Sequence, residues 1–310
     1  APFDVDVTTE EPAAFDRYTG RILFTYDVDY CNQDMPAKGA GGVAYVGVWG
    51  DSNYHTYYDP ALVYNTGIVS AAEAGSHEMG HNLSLGHDGN SSNGASYYYG
   101  HGSGYTSWGA IMGAAYYTHV TQWSKGEYPD ANNPQDDIAV VVDALSLADD
   151  DHADSRSAAT PLSINGSGEV VVSDPESDPH NLYPENKGVI NSASDWDYFR
   201  VEATDGTLNL TVTPAYKAFY RSSRRGANLD VRAVLFDGDG DILAQSDPTS
   251  DTFASISATV TEGSYFLGIQ GVGNDNIETI VVILEVLSIS DLKIRILVDP
   301  IFECEPAGSL

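Results

Sequence analysis

The spacing of apolar and polar residues divides the chain into segments that predict different elements. At the start, APFDVDVTTEEP alternates until a proline stops it, and RILFTYDVDY alternates again. Extended backbone sends successive side chains to opposite faces, so residues 1–30 read as strand, loop, strand. Gly39–Gly50, GAGGVAYVGVWG, reads as a further strand with a glycine at each end. A helix is predicted from Ser70, because Ser70 and Glu73 stand in capping-box spacing. It is expected to stop beyond Leu83, where Ser84 and Gly86 are available for a turn and Gly86 can take a positive φ at no steric cost. Gly89–Trp108 is rich in Gly, Ser and Tyr and long for an internal loop, which points to a functional or ion-bound segment. Asn133 is then placed to cap a second helix, with Pro134 at its first position, Asp136 and Asp137 in its first turn and its end near Leu147.

The character changes after that helix. Ala148–Thr160 is acidic, poor in large apolar residues and reads as a linker. Beyond it, DWDYFRVEA, GTLNLTVTP, LDVRAVLFD, DILAQS, FASISATV and GSYFLGIQ are short alternating runs separated by Gly/Asp turns, the pattern of an antiparallel sandwich. Asp237–Asp241, DGDGD, fails as a calcium loop of the EF-hand type, since its sixth and twelfth positions are Ile242 and Pro248. A hairpin turn is the better reading. From Ile277 onward the chain is unusually aliphatic and departs from this pattern. The expected organisation is a domain over 1–147, a linker over 148–161 and an all-β domain over 162–310.

Composition then limits the function. The 310 residues exceed what one core normally serves, which allows two domains. Fourteen basic against 45 acidic residues leave a net charge of −31, which excludes a general nucleic-acid binder. The same charge suits a solvated secreted protein and favours Ca²⁺ as a bound ion. Cys31 and Cys304 are far apart and are not expected to bond, so stability should not rest on a disulfide. There is no apolar run of membrane-spanning length and no signal-like opening, and the start at Ala1 reads as a processed, trimmed or fragmentary chain. A soluble monomer without membrane partners is expected.

The chemistry concentrates in SAAEAGSHEMGHNLSLGHD, Ser70 to Asp88. His77 and His81 lie one helical turn apart on one face, so both imidazoles can point at one metal ion. Glu78 adjoins the first of them, where it can reach a water at the metal without being a ligand. His87 becomes a third ligand if the chain doubles back after the helix. Three imidazoles with an open position describe a catalytic zinc rather than a structural one. His101 is a further polar group for the cleft, and His55 reads as structural.

This segment resembles the HExxHxxGxxH motif of the metzincin metallopeptidases, and the pair His87-Asp88 is closest to the adamalysin or reprolysin branch. Ser84 stands where the motif has glycine, at a left-handed turn that costs a non-Gly residue on the order of 1 kcal/mol. The resemblance extends to SWGAIMGAAYY, making Met112 the methionine of the Met-turn; Ala114 replaces the metal-binding Tyr of astacins and serralysins. It implies an α/β (α+β) catalytic domain with a twisted mixed sheet and a zinc helix, here without the family's first strand and long helix. It also implies that Gly42, Val43, Ala44 and Tyr45 belong to the edge strand that binds substrate. The C-terminal runs resemble the pre-peptidase C-terminal domain, a β-sandwich appended to many secreted bacterial peptidases. The resulting expectation is a secreted zinc endopeptidase acting on proteins or peptides, with Glu78 as general base. Two other readings stay open: an inert metal-bound binding module, and a protein working through its sandwich on polysaccharide or insoluble protein.

Overall fold

The computed structural model describes residues 3–5, 14–65, 67–170, 186–214, 225–227 and 229–272. Together they form a mixed α/β structure whose described residues divide into two compact units, 14–86 and 3–5 with 87–272.

In the first unit three short strands, β1 (Ile22–Phe24), β2 (Gly42–Val43) and β3 (Ala61–Val63), form a sheet in the order β1-β3-β2. β1 runs parallel to β3 and β2 antiparallel to it, which leaves β2 at an edge. Helix α1 (Ile68–Asn82) packs on this sheet with Val69, Ala71 and Ala74 buried. Small residues let it approach closely: a β-carbon at Gly75 would lie 3.5 Å from Ile22 and from Phe24, ordinary van der Waals contact. The capping box does not form. α1 begins two residues before Ser70, behind Gly67 at φ 92°, and no side chain caps it. Glu73 therefore stands beyond the first turn, where backbone N–H groups already have helical acceptors.

The long strand expected over Gly39–Gly50 is also shortened. It pairs with β3 only at Gly42 and Val43, and farther on its donors serve the helix instead. Gly47 N–H donates to His81 O (2.8 Å), and Val48 and Trp49 donate to Asn82 O (3.0 and 2.9 Å). The last carbonyls of a helix lack intrahelical partners, and here this loop supplies them. Cys31 is disulfide-bonded, contrary to expectation, and Cys304 lies outside the described residues.

In the second unit β4 (Trp108–Ala110) and β5 (Val120–Gln122) pair in parallel and bracket the turn containing Met112. Helix α2 (Asp137–Leu145) starts later than predicted. Asn133 Oδ1 accepts from Gln135 N–H in a local turn, and the cap is Asp136, whose Oδ1 accepts from Ala139 N–H (both 3.0 Å). Ala148–Thr160, read as a linker, holds a 3₁₀ turn at Arg156–Ala158 and leads into β6 (Thr160–Pro161).

All six alternating runs are strands: β7 (Asp197–Ala203), β8 (Gly206–Val212), β9 (Asp230–Phe236), β10 (Ile242–Ser246), β11 (Ala254–Val260) and β12 (Gly263–Val272). They form a sheet ordered β10-β9-β12-β7-β6 and an antiparallel pair β11-β8. Phe199, Val201, Leu210, Val231, Leu235 and Ile256, drawn from both sheets, share one buried cluster. The β9–β10 connection is a turn in which Asp237 Oδ1 accepts from the N–H groups of Asp239, Gly240 and Asp241 (3.0, 2.8 and 2.9 Å). That carboxylate serves backbone donors, as a hairpin turn requires. The aliphatic tail after Ile277 lies outside the described residues.

Candidate metal centre

α1 carries His77, Glu78 and His81, all buried, with the two imidazole rings 4.8 Å apart between centroids. The helix then ends in a Schellman turn. Ser84 N–H donates to His81 O (3.0 Å) and Leu85 N–H to Gly80 O (2.9 Å), with Ser84 at φ 85°. The reversal is made at Ser84 and not at Gly86, which has no positive φ. Its geometry demands the left-handed residue immediately after the cap, Leu83. Leu85, fully buried, anchors the turn.

This turn also orients His81. His81 Nδ1 donates to Leu85 O (2.8 Å), so the neutral ring carries its lone pair on Nε2, the form in which a metal takes imidazole. Burial lowers the pKa of His81, which favours that neutral form. His87 follows the turn, with its ring 4.4 Å from that of Tyr97. The ligand atoms of His77, His81 and His87 lie within 4.8 Å of one another. Three imidazoles converging at that range, one with its tautomer set by a backbone carbonyl, fit the donor set of a zinc ion.

Glu78 is 5% exposed, and burial pushes its carboxyl up to about 7. Gly42 in β2 lies directly against it. Met112 is fully buried, and its carbonyl accepts from Asp88 N–H (2.9 Å). The turn between β4 and β5 is thus tied to the residue after His87. Asp88 is also fully buried; desolvation, reinforced by Glu127, pushes it up to about 7.

Residues 7–88 match the family described as Metallo-peptidase family M12B Reprolysin-like, and residues 61–158 match Peptidase M66. Both are metallopeptidase families, and together they support a reprolysin-like zinc metallopeptidase. The two matches overlap over 61–88, the stretch holding β3, α1 and the three histidines. No curated protein matches the chain.

In this metallopeptidase Gly42 and Val43 lie in the edge strand, while Ala44 and Tyr45 follow it. Tyr45 O accepts from Asn82 Nδ2 (2.9 Å), and the Tyr45 ring is exposed. His101 Nδ1 pairs with the Tyr98 hydroxyl (2.8 Å) within an aromatic group that includes Trp108 and Tyr128. His55 pairs with Asp59, in keeping with a structural role. The sequence reading missed Tyr97 and Asn133, whose Nδ2 reaches His87 O at 3.4 Å. Neither has a spacing that signals the contact, which arises from loop geometry. Among the described residues no helix is long and apolar enough to cross a membrane.

Proposed function

We propose that this metallopeptidase is a secreted endopeptidase that cleaves internal peptide bonds of proteins, holds its metal with His77, His81 and His87, and uses Glu78 as general base. The observation that carries the reading is the convergence of the three imidazoles within 4.8 Å, with Glu78 buried beside them on the zinc helix α1. When bound, zinc supplies a Lewis acid that polarises the scissile carbonyl and acidifies water. Glu78 accepts the proton of the attacking water and returns it to the leaving amine, and its raised affinity for a proton suits both transfers. Leu85 O holds the His81 ring in one tautomer and orientation. Met112, fully buried in its turn, supports the stretch after His87 through Asp88 N–H. An extended substrate aligns along Gly42 to Tyr45, where main-chain pairing tolerates many sequences.

The catalytic domain in this reading spans 1–147, and 148–161 leads to a β-sandwich over 162–310. The shared core of the two C-terminal sheets supports that assignment. The protein works as a monomer on protein or peptide substrates.

The test is metal analysis combined with casein cleavage by the purified chain. One zinc per chain and chelator-sensitive cleavage are expected, and both should be lost in the double variant His77→Ala/His81→Ala. Zinc retained by that variant would overturn the ligand assignment; zinc bound without cleavage by the parent chain would overturn the peptidase reading.

A further inference from the structure

β7 presents Phe199 and Val201 inward, and the same face carries Asp197, 1% exposed. The core side of a strand is normally apolar, and an ionised carboxylate there is costly without a partner of opposite charge. Two residues earlier, Asp195 is also buried, at 3%. Oδ1 of Asp197 and Oδ1 of Asp195 meet no hydrogen-bond donor of the protein.

The acidic segment ahead of β6 comes to this spot. Asp150, Asp151 and Asp197 each bring a carboxylate oxygen within 4.8 Å of the others. The segment is held there by hydrogen bonds: Asp151 Oδ1 accepts from Val189 N–H (3.1 Å), Asp154 Oδ1 from Trp196 N–H (2.8 Å), and Ala153 O from Tyr198 N–H (3.3 Å). Gly188 permits the approach, since a β-carbon there would overlap Oδ2 of Asp197. The charges acting on Asp197 are those of Asp151, Asp195, Asp150 and Asp154, all negative.

We propose that Asp150, Asp151 and Asp197 hold a calcium ion, with Asp195 beside them, and that this ion clips residues 150–154 to the start of β7. Several carboxylate oxygens on a flexible-geometry site suit Ca²⁺ rather than Mg²⁺, which demands a tighter octahedron and keeps its waters. The buried, unpartnered oxygens of Asp197 and Asp195 distinguish this cluster from solvated surface acids. The clip is separate from the histidine centre and does not depend on the chemistry proposed for it.

The experiment is equilibrium dialysis of the full, zinc-loaded chain against radiolabelled calcium, with the fluorescence of Trp196, stacked on Tyr198, as a second readout. One saturable calcium per chain is expected, with a Kd of about 10⁻³ M or tighter. Asp197→Asn should weaken it at least tenfold. Because that variant alters the core, the double variant Asp150→Asn/Asp151→Asn is the safer arm: both residues are exposed, and it should lose calcium to the same degree while retaining zinc. No saturable calcium in the parent chain, or unchanged affinity in the double variant, would overturn the proposal.

Discussion

A β-carbon at Gly42 would stand 2.7 Å from Oε1 of Glu78 and 2.6 Å from the carbonyl oxygen of Leu62. Glycine is therefore the residue that lets edge strand β2 lie against the carboxylate while still pairing with β3. Gly42→Ala must displace either Glu78 or the β2–β3 backbone. The expected result is a loss of stability of about 1–3 kcal/mol, with a fall in kcat and zinc content unchanged. Thermal unfolding and peptide hydrolysis measure both, and parent-like values would show that the strand yields without cost.

Glu78→Gln separates metal binding from proton transfer. Glutamine is nearly isosteric and can hydrogen-bond water, but it cannot take the proton. Activity should drop by roughly 10²–10⁴-fold while zinc content stays at the parent level. Full activity with zinc bound would remove Glu78 from the mechanism.

Ser84 holds φ 85° in the turn that delivers His87. Ser84→Gly should relieve about 1 kcal/mol of backbone cost and raise the melting temperature without loss of zinc. Ser84→Val, β-branched at a left-handed position, should lower both stability and zinc retention. A destabilised Ser84→Gly or a stabilised Ser84→Val would contradict the role of the turn.

Asp137 is fully buried, and desolvation, with Asp88 nearby, pushes it up to about 8, while its Oδ2 accepts from Ser124 N–H (3.0 Å). Its folded pKa lies above the ordinary 3.8, so the native state keeps a proton that the unfolded chain releases. Its contribution to stability is fully present below about pH 4 and is lost as pH rises toward about 8, by at most about 1.4 kcal/mol per pH unit. Asp137→Asn keeps the acceptor and removes the charge. Unfolding curves of parent and variant should converge at low pH and separate at pH 8, with the variant more stable there; a constant difference at all pH values would exclude the titration of Asp137 as the cause.

What the sequence determined by itself was whatever depends on neighbours along the chain. The spacing of His77 and His81, the left-handed requirement at the motif position held by Ser84, the six alternating C-terminal strands and the Asp237 turn are all local, set by helix pitch, strand pleat or a side chain bonding its own backbone. Tertiary structure decided the rest, because unpaired backbone groups and buried charges find partners across long separations. The start of α1 moved from Ser70 to the residue after Gly67, and the strand expected over Gly39–Gly50 gave up its donors to the carbonyls of His81 and Asn82. The approach of Gly42 to Glu78 depends on β2 pairing with β3. The meeting of Asp150 and Asp151 with Asp197 likewise joins residues almost fifty positions apart, a contact that no local period encodes.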